Sequence, residues 1–150
     1  MVPVEILKKL DIFDGLTEAE MKSITEIAEL RECPKGSVIF KENQDAEMLY
    51  VLLLGNIAIH FETGRHQEAI VHSVGAGQAF GWSALVQPYQ FTASARCVNN
   101  SKLVCIDRKK LRDLLNMDCH MGFVIMEKLA ELVSTRLRDT RLQLISLLHG

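Results

Sequence analysis

The spacing of apolar residues changes twice along the chain, from helical to alternating and back to helical. Apolar residues recur at helical spacing over residues 4–13, which predicts a first short helix. Thr17 and Glu20 then form a capping box, in which each side chain satisfies a free amide at a helix start. A second helix is predicted over residues 18–30, so residues 1–30 form an N-terminal helical segment.

Residues 31–107 show the alternation of apolar and polar positions that is typical of half-buried antiparallel strands. The predicted strands lie near residues 38–40, 49–53, 57–61, 69–74, 92–98 and 102–106. Turn-forming residues separate them at Pro34-Lys35-Gly36, Gly55-Asn56, Thr63-Gly64-Arg65 and Gly75-Ala76-Gly77. This order predicts a mainly β (α+β) fold, an antiparallel β-roll or jelly roll with N-terminal helices and a long C-terminal helix.

Residues 108–150 return to the helical period. Leu111, Leu114 and Leu115 predict a short amphipathic helix, and a long helix without proline is predicted from about Gly122 to the end. Two series with a seven-residue repeat form an a/d seam on the long helix: Phe123, Ala130, Leu137 and Leu144, and Met126, Val133, Thr140 and Leu147. The seam predicts dimerisation as a parallel homodimer, and an intramolecular helix that covers the roll is the alternative.

The other faces of the long helix are predicted to contact the body or water. Ile125, Leu129 and Leu132 lie beside the seam, where they can pack onto the β-rich part of the chain. Basic residues alternate with acidic ones and are predicted to form a solvated flank: Lys128, Arg136, Arg138 and Arg141. The net charge of −2 adds no overall attraction to nucleic acid or to an anionic membrane.

The composition, 48% hydrophobic and 24% charged over 150 residues, is typical of a single soluble domain over residues 1–150. The first residues do not resemble a secretory signal, and the longest apolar stretch, residues 49–54, is too short to span a bilayer. We therefore expect a cytoplasmic protein with no membrane partner.

Few residues of the chain have the spacing of a metal-binding or catalytic motif. Cys33, Cys97, Cys105 and Cys119 form no CxxC pair, and the histidines show no HExxH spacing, so neither a metal site nor a cofactor is expected. Gly81-Trp82-Ser83 begins like a nucleophile elbow, but Leu85 stands where the final glycine is required. We identify no catalytic residue, and the chain is not expected to be an enzyme.

The segment around Gly81 has the small residues of an anion-binding turn. Gly81, Ser83 and Ala84 allow close approach of backbone amides to an anion, and Thr92 and Ser94 add hydroxyl groups. Two aromatic residues, Trp82 and Phe91, lie within the same segment. Arg96 shares strand parity with Thr92 and Ser94 and is a candidate cation for this site, although an exposed arginine at a strand end is the favoured interpretation.

Four motifs appear in an order that resembles the cyclic nucleotide-binding domain family, which includes catabolite activator protein-like β-rolls. They are residues 10–16 (LDIFDGL), 34–39 (PKGSVI), 50–55 (YVLLLG) and 75–81 (GAGQAFG), and the resemblance extends over nearly the whole chain. In that family a glutamate of the phosphate-binding cassette binds the ribose 2′-hydroxyl and an arginine pairs with the cyclic phosphate. The matching positions here are Trp82 and Phe91, so the cassette is degenerate.

The resemblance implies a stand-alone regulatory or sensor module in which a ligand shifts the C-terminal helices. Loss of a charged contact costs about 1.5–3 kcal/mol, so weak or no binding of cyclic AMP and cyclic GMP is expected, and the ligand or partner protein is unidentified. The family's helix-turn-helix is not present before Gly150, so no direct nucleic-acid partner is expected. A ligand-free dimeric interaction scaffold, with its pocket filled by Trp82 and Phe91, and a haem or redox sensor remain alternatives.

Overall fold

The computed structural model describes residues 2–63 and 67–149, and its N-terminal segment is helical as predicted. Helix α1 is Val4–Leu7, a 3₁₀ turn spans Asp11–Phe13, and helix α2 is Glu18–Ile27. The predicted helix over residues 4–13 is interrupted because the Asp11 amide donates to the Gly77 carbonyl, 3.1 Å away, instead of continuing a helix. The capping box is confirmed, since the Glu20 amide donates to Thr17 Oγ1 at 3.1 Å and the Thr17 amide donates to Glu20 Oε1 at 2.9 Å.

Eight strands in the described residues form two four-stranded antiparallel sheets, which confirms the predicted roll. The strands are β1 Ala28–Cys33, β2 Val38–Phe40, β3 Met48–Leu54, β4 Ile57–Thr63, β5 Gln67–Val74, β6 Ala79–Phe80, β7 Ser94–Cys97 and β8 Ser101–Asp107. Their order is β1-β8-β3-β6 in one sheet and β2-β7-β4-β5 in the other. The predicted turn at Gly64-Arg65 lies outside the described residues.

Several predicted boundaries and one burial pattern are wrong. Helix α2 ends at Ile27 rather than near residue 30, because Ala28 is extended and pairs with Ile106 of β8. The prediction of a half-buried β3 fails, since all four side chains from Leu49 to Leu52 are buried in the core. Strand β3 lies between β8 and β6, and successive side chains point to opposite faces, so both faces of this strand are covered.

The turn between β3 and β4 requires glycine. Gly55 has a φ of +108°, and a Cβ at this position would overlap the side chain of Ser101. Because L-amino acids rarely adopt a positive φ, both the backbone conformation and the available space restrict this position to glycine.

Two helices complete the chain, α3 at Arg108–Met117 and α4 at Cys119–His149. Helix α4 begins before Gly122, the predicted start, because Asp118 Oδ1 accepts a hydrogen bond from the Met121 amide at 3.0 Å and caps the first turn. Ile125 and Leu129 are buried on the body, and Leu132 packs against the core, as predicted. None of the described helices has both the length and the apolarity that a membrane span requires.

The capping glutamate also connects α2 to the start of α4. Glu20 is buried, and its carboxylate oxygens lie 2.9 and 3.0 Å from His120 Nδ1. Burial opposes ionisation of Glu20, but hydrogen bonds with Thr17, Asp118 and His120 outweigh it and lower its pKa from 4.5 to about 2. The folded-state pKa is therefore below the unfolded one, so this stabilisation is complete above pH 4.5 and is lost as the pH falls toward about 2.

Replacing Glu20 with glutamine should reduce the acid sensitivity of folding. We expect Glu20→Gln to cost about 1.5–3 kcal/mol at neutral pH, the range for a hydrogen bond to a charged group. The difference in the free energy of unfolding between the wild type and Glu20→Gln should shrink as the pH falls below 4.5, because wild-type Glu20 then becomes protonated. Urea denaturation at a series of pH values measures this, with the exposed Glu26→Gln on the same helix as the control. Parallel pH profiles for the wild type and Glu20→Gln would contradict the assignment.

Candidate functional site

The predicted cassette forms a tight turn between β6 and a 3₁₀ turn at Trp82–Leu85. Gly81 has a φ of +71°, and a Cβ there would lie 3.0 Å from the Tyr50 ring and 3.3 Å from the rings of Phe40 and Phe91. The Ala84 amide donates to the Gly81 carbonyl at 3.2 Å, so this amide closes the turn and does not face a ligand. Ala84 itself is fully buried, which limits its role to packing.

Phe91 belongs to an aromatic cluster in the core, which we define as Phe40, Tyr50, Phe80 and Phe91. Its ring stacks on that of Phe40, with a centroid distance of 3.7 Å and an interplanar angle of 9°. Phe40 in turn stacks on Tyr50 and Phe80 at 5.8 and 6.2 Å. Only 4% of Phe91 is exposed, so the residue at the family's phosphate-binding position acts as a core side chain.

A cavity of about 60 Å³ lies beside the cassette. The predicted site residues that line it are Gly81, Trp82, Ser83, Phe91 and Thr92. Ala84, Ser94 and Arg96 are not among its lining residues. The cassette therefore encloses a small space, and only part of the predicted site faces it.

Ser94 and Arg96 lie instead on strand β7, between β2 and β4. The Ser94 hydroxyl accepts a hydrogen bond from the Glu42 amide at 2.9 Å and is buried. Arg96 is half-buried and pairs in register with Val38 and Ala58. The Ser94 hydroxyl thus links β7 to the loop at Glu42, and neither Ser94 nor Arg96 lines the cavity.

The cation at this cavity is Arg136 of α4, which the sequence pattern assigned to a solvated flank of the helix. Its guanidinium carbon lies 5.9 Å from the centroid of the Trp82 ring, within the range of a cation–π contact. Its Nη1 atom donates to His72 Nδ1 at 2.6 Å, so His72 is neutral and carries its proton on Nε2. Arg136 follows Leu129 and Leu132 by seven and four residues on the face that meets the body, and this spacing is the signal that could have placed it here.

Burial and a neighbouring charge change the pKa values of His72 and Arg136. Burial first, and then the adjacent Arg136 charge, lower the pKa of His72 to about 4. Burial also lowers the pKa of Arg136, although a guanidinium remains charged at any physiological pH. At neutral pH the site therefore holds one positive charge on Arg136 and a neutral acceptor on His72.

No group of three or more histidine, cysteine, aspartate or glutamate side chains able to hold a metal occurs in the described residues. Burial raises the pKa of the Cys33 thiol and raises that of Cys105 to about 11, so both remain protonated and weakly nucleophilic.

Comparison with known proteins agrees with this architecture. The cyclic nucleotide-binding domain family model matches residues 30–118. A solved structure from Geobacter metallireducens GS-15, named for cyclic nucleotide binding, is 35% identical with a TM-score of 0.81 and covers 91% of this chain and 99% of its own.

Two longer regulators are also similar. The CRP-like cAMP-activated global transcriptional regulator of Mycobacterium tuberculosis is 26% identical over 144 residues, which are 96% of this chain and 62% of the regulator. The catabolite activator protein of Thermus thermophilus is 26% identical with a TM-score of 0.74 and covers 91% of this chain and 62% of its own length. This chain thus spans about 62% of the length of these relatives. With the family model matching more than half of its residues, the chain belongs to the cyclic nucleotide-binding domain family.

Proposed function

We propose that this chain is a regulatory module that dimerises through α4 and binds cyclic AMP and cyclic GMP weakly or not at all. The weak or absent binding of cyclic nucleotides is argued from the cavity at the cassette. Its volume is about 60 Å³, whereas pockets that bury a ligand of drug size measure about 300–1,000 Å³. The stacked Phe91 ring occupies the position where the family places its phosphate-binding arginine.

The exposed face of α4 supports a homodimer. The seam includes Phe123, Leu137 and Leu147, which are 66, 50 and 81% exposed in a single chain. Every residue in the range 137–149 is exposed, so the second half of this helix buries little apolar surface on its own body. The regular seven-residue spacing matches a second copy of the same helix, which would cover these side chains in both chains.

One helix connects the cavity to the proposed dimer seam. Arg136 lines the cavity, and the next residue, Leu137, is a seam position. A ligand that changed the position of Arg136 would therefore move the seam, provided that it bound one arrangement of α4 more tightly than another. This coupling supports a regulatory role, together with the transcriptional regulator among the similar proteins. A cytoplasmic location and the absence of direct contact with nucleic acid are part of the proposal.

Calorimetric titration with cyclic AMP and cyclic GMP tests the proposed lack of binding. Two lost charged contacts cost about 3–6 kcal/mol together, which weakens binding by roughly two to four decades. We expect no measurable heat from either nucleotide at concentrations that saturate the Thermus thermophilus cyclic AMP receptor protein, which is the positive control. Micromolar binding of either nucleotide would contradict the proposal.

A ligand-free interaction scaffold is the second candidate function. The stacking of Phe91 within the aromatic cluster favours it, because this ring fills the pocket with a core side chain. The two candidates differ in whether the remaining cavity accepts any ligand. A haem or redox sensor has weaker support, since the raised pKa values of Cys33 and Cys105 oppose formation of a reactive thiolate.

A further inference from the structure

Arg136 and His72 line two adjacent cavities. Both residues line the 60 Å³ cavity at the cassette, and both also line a groove of about 750 Å³ between α4, the N-terminal segment and β5. The hydrogen bond between Arg136 Nη1 and His72 Nδ1 therefore lies in the wall shared by the small cavity and the groove. Arg136 thus belongs to the lining of both the cassette cavity and the groove.

The guanidinium has one edge with open hydrogen-bonding capacity. Its Nη1 is satisfied by His72, but Nε and Nη2 are buried and have no hydrogen-bond partner among the described residues. The hydrogens of Nε and Nη2 on this edge point in the same direction, with the spacing of two oxygens on one carboxylate or phosphate group. Buried donors of this kind are normally paired, so we expect a hydrogen-bond acceptor at this edge.

We propose that this edge of Arg136 binds the oxyanion head group, carboxylate or phosphate, of a small ligand whose remaining part lies in the groove. The inference rests on the regulatory function proposed above and names the ligand chemistry of the same pocket. The small cavity has room for a head group, and Ser83 and Thr92, which carry hydroxyl groups, also line it. The guanidinium carbon lies 5.9 Å from the centroid of the Trp82 ring, so the indole borders the proposed head-group site.

The other cations of the groove are lysines, which lack the paired donors of a guanidinium. Lys8 is paired with Glu18 at 2.8 Å, Lys128 lies 3.7 Å from both Asp14 and Glu131, and Lys9 is exposed. Asp139 is close enough to stabilise the charge of Arg136. Acidic and basic groups are thus balanced along the groove, and selection for an oxyanion depends on the open edge of Arg136 rather than on overall charge.

Trp82 is the single tryptophan of the chain, so its fluorescence reports on this site alone. Titrations with four probes separate the sources of the head group: acetate, decanoate, inorganic phosphate and hexyl phosphate. We expect a saturable change in Trp82 emission with the tailed probes and a weaker one with the head groups alone. A response to decanoate but not hexyl phosphate identifies a carboxylate ligand, and the reverse identifies a phosphate ligand. Absence of a saturable response to all four probes would overturn the inference.

Variants at position 136 test the role of the open edge. Arg136→Lys keeps the charge but lacks the paired donors, so the dissociation constant should rise at least about tenfold, a loss expected for one hydrogen bond. Arg136→Gln should abolish the response, and Arg138→Gln, an exposed residue two positions later on α4, should leave it unchanged. Circular dichroism checks that each variant is folded.

A measurement on the wild type tests the Arg136 contact without depending on whether the variants fold. The ¹⁵N resonance of Arg136 Nε should shift on saturation with the active probe, because this nitrogen donates to the head group. An unchanged Arg136 Nε resonance, or equal affinity in Arg136→Lys, would overturn the inference. Neither result would affect the proposed absence of cyclic nucleotide binding or the dimer, which are measured separately.

Discussion

Replacing Leu137 with glutamate is expected to convert the homodimer to monomers. Leu137 is an a position near the middle of the seam and is half exposed in the single chain. In a parallel dimer the two glutamates would meet across the two-fold axis, where two like charges would be partly buried. The variant loses the apolar contact and adds this repulsion, so we expect the dissociation constant to rise at least about 100-fold, or about 3 kcal/mol.

Leu142→Glu is a matched control for this change. Leu142 lies on the same helix, is 55% exposed, and is outside the a and d positions of the seam. Sedimentation equilibrium over a range of protein concentrations should give a dimer for the wild type and Leu142→Glu, and a monomer for Leu137→Glu. A dimer that persists in Leu137→Glu would reject the seam, and monomers in both variants would move the interface to a different face of α4.

The capping box and the buried face of α4 were predictable because they depend on residues close together in the chain. The capping box at Thr17 and Glu20 joins residues three positions apart, and both of its hydrogen bonds are present. Ile125 and Leu129 are four positions apart and therefore lie on the same face of α4, which is the face that is buried. Strand β6, with only two residues, is too short to show an alternating pattern and was not predicted.

The burial of Phe91 and the contact between Arg136 and His72 could not be predicted from the sequence, because both depend on residues far apart in the chain. Phe91 stacks on Phe40, which is 51 positions earlier, so its place in the core appears only when β2 and the cassette loop are brought together. Arg136 lies 64 positions from His72, and the charge pattern of α4 alone assigns it to solvent. The cassette position was predictable from the resemblance to the family. The helical spacing of Arg136 from Leu129 and Leu132 could place it on the face of α4 that meets the body, but not beside the cassette.

Replacing Phe91 with alanine is expected to be among the most destabilising single changes in the cassette. The side chain is 4% exposed, and its ring lies nearly parallel to Phe40 at 3.7 Å, so truncation leaves a cavity and removes a stacking contact. Phenylalanine-to-alanine changes in protein cores typically cost about 3–5 kcal/mol. Phe91→Arg should cost at least as much, because it places a charge in the aromatic cluster without a buried acceptor.

Restoring the charged residues of the family's cassette is not expected to restore cyclic nucleotide binding. Placing glutamate at Trp82 and arginine at Phe91 would recreate the charged residues of the family, but the arginine would have to leave the core to reach a ligand. We therefore expect Trp82→Glu with Phe91→Arg to lose stability without gaining cyclic nucleotide binding. Tight binding by this double variant, measured by calorimetry, would instead mean that Phe91 is easily displaced from the cluster.

Urea denaturation of Phe91→Ala is best measured in the Leu137→Glu background, because unfolding of a dimer depends on protein concentration. Phe61→Ala is the matched control, since Phe61 is a β4 residue with 36% exposure and its loss should cost clearly less. A cost for Phe91→Ala close to that of Phe61→Ala would contradict the structural role of the stacked ring. Phe91 would then be a mobile cover over the cassette, and a ligand larger than the 60 Å³ cavity could be accommodated.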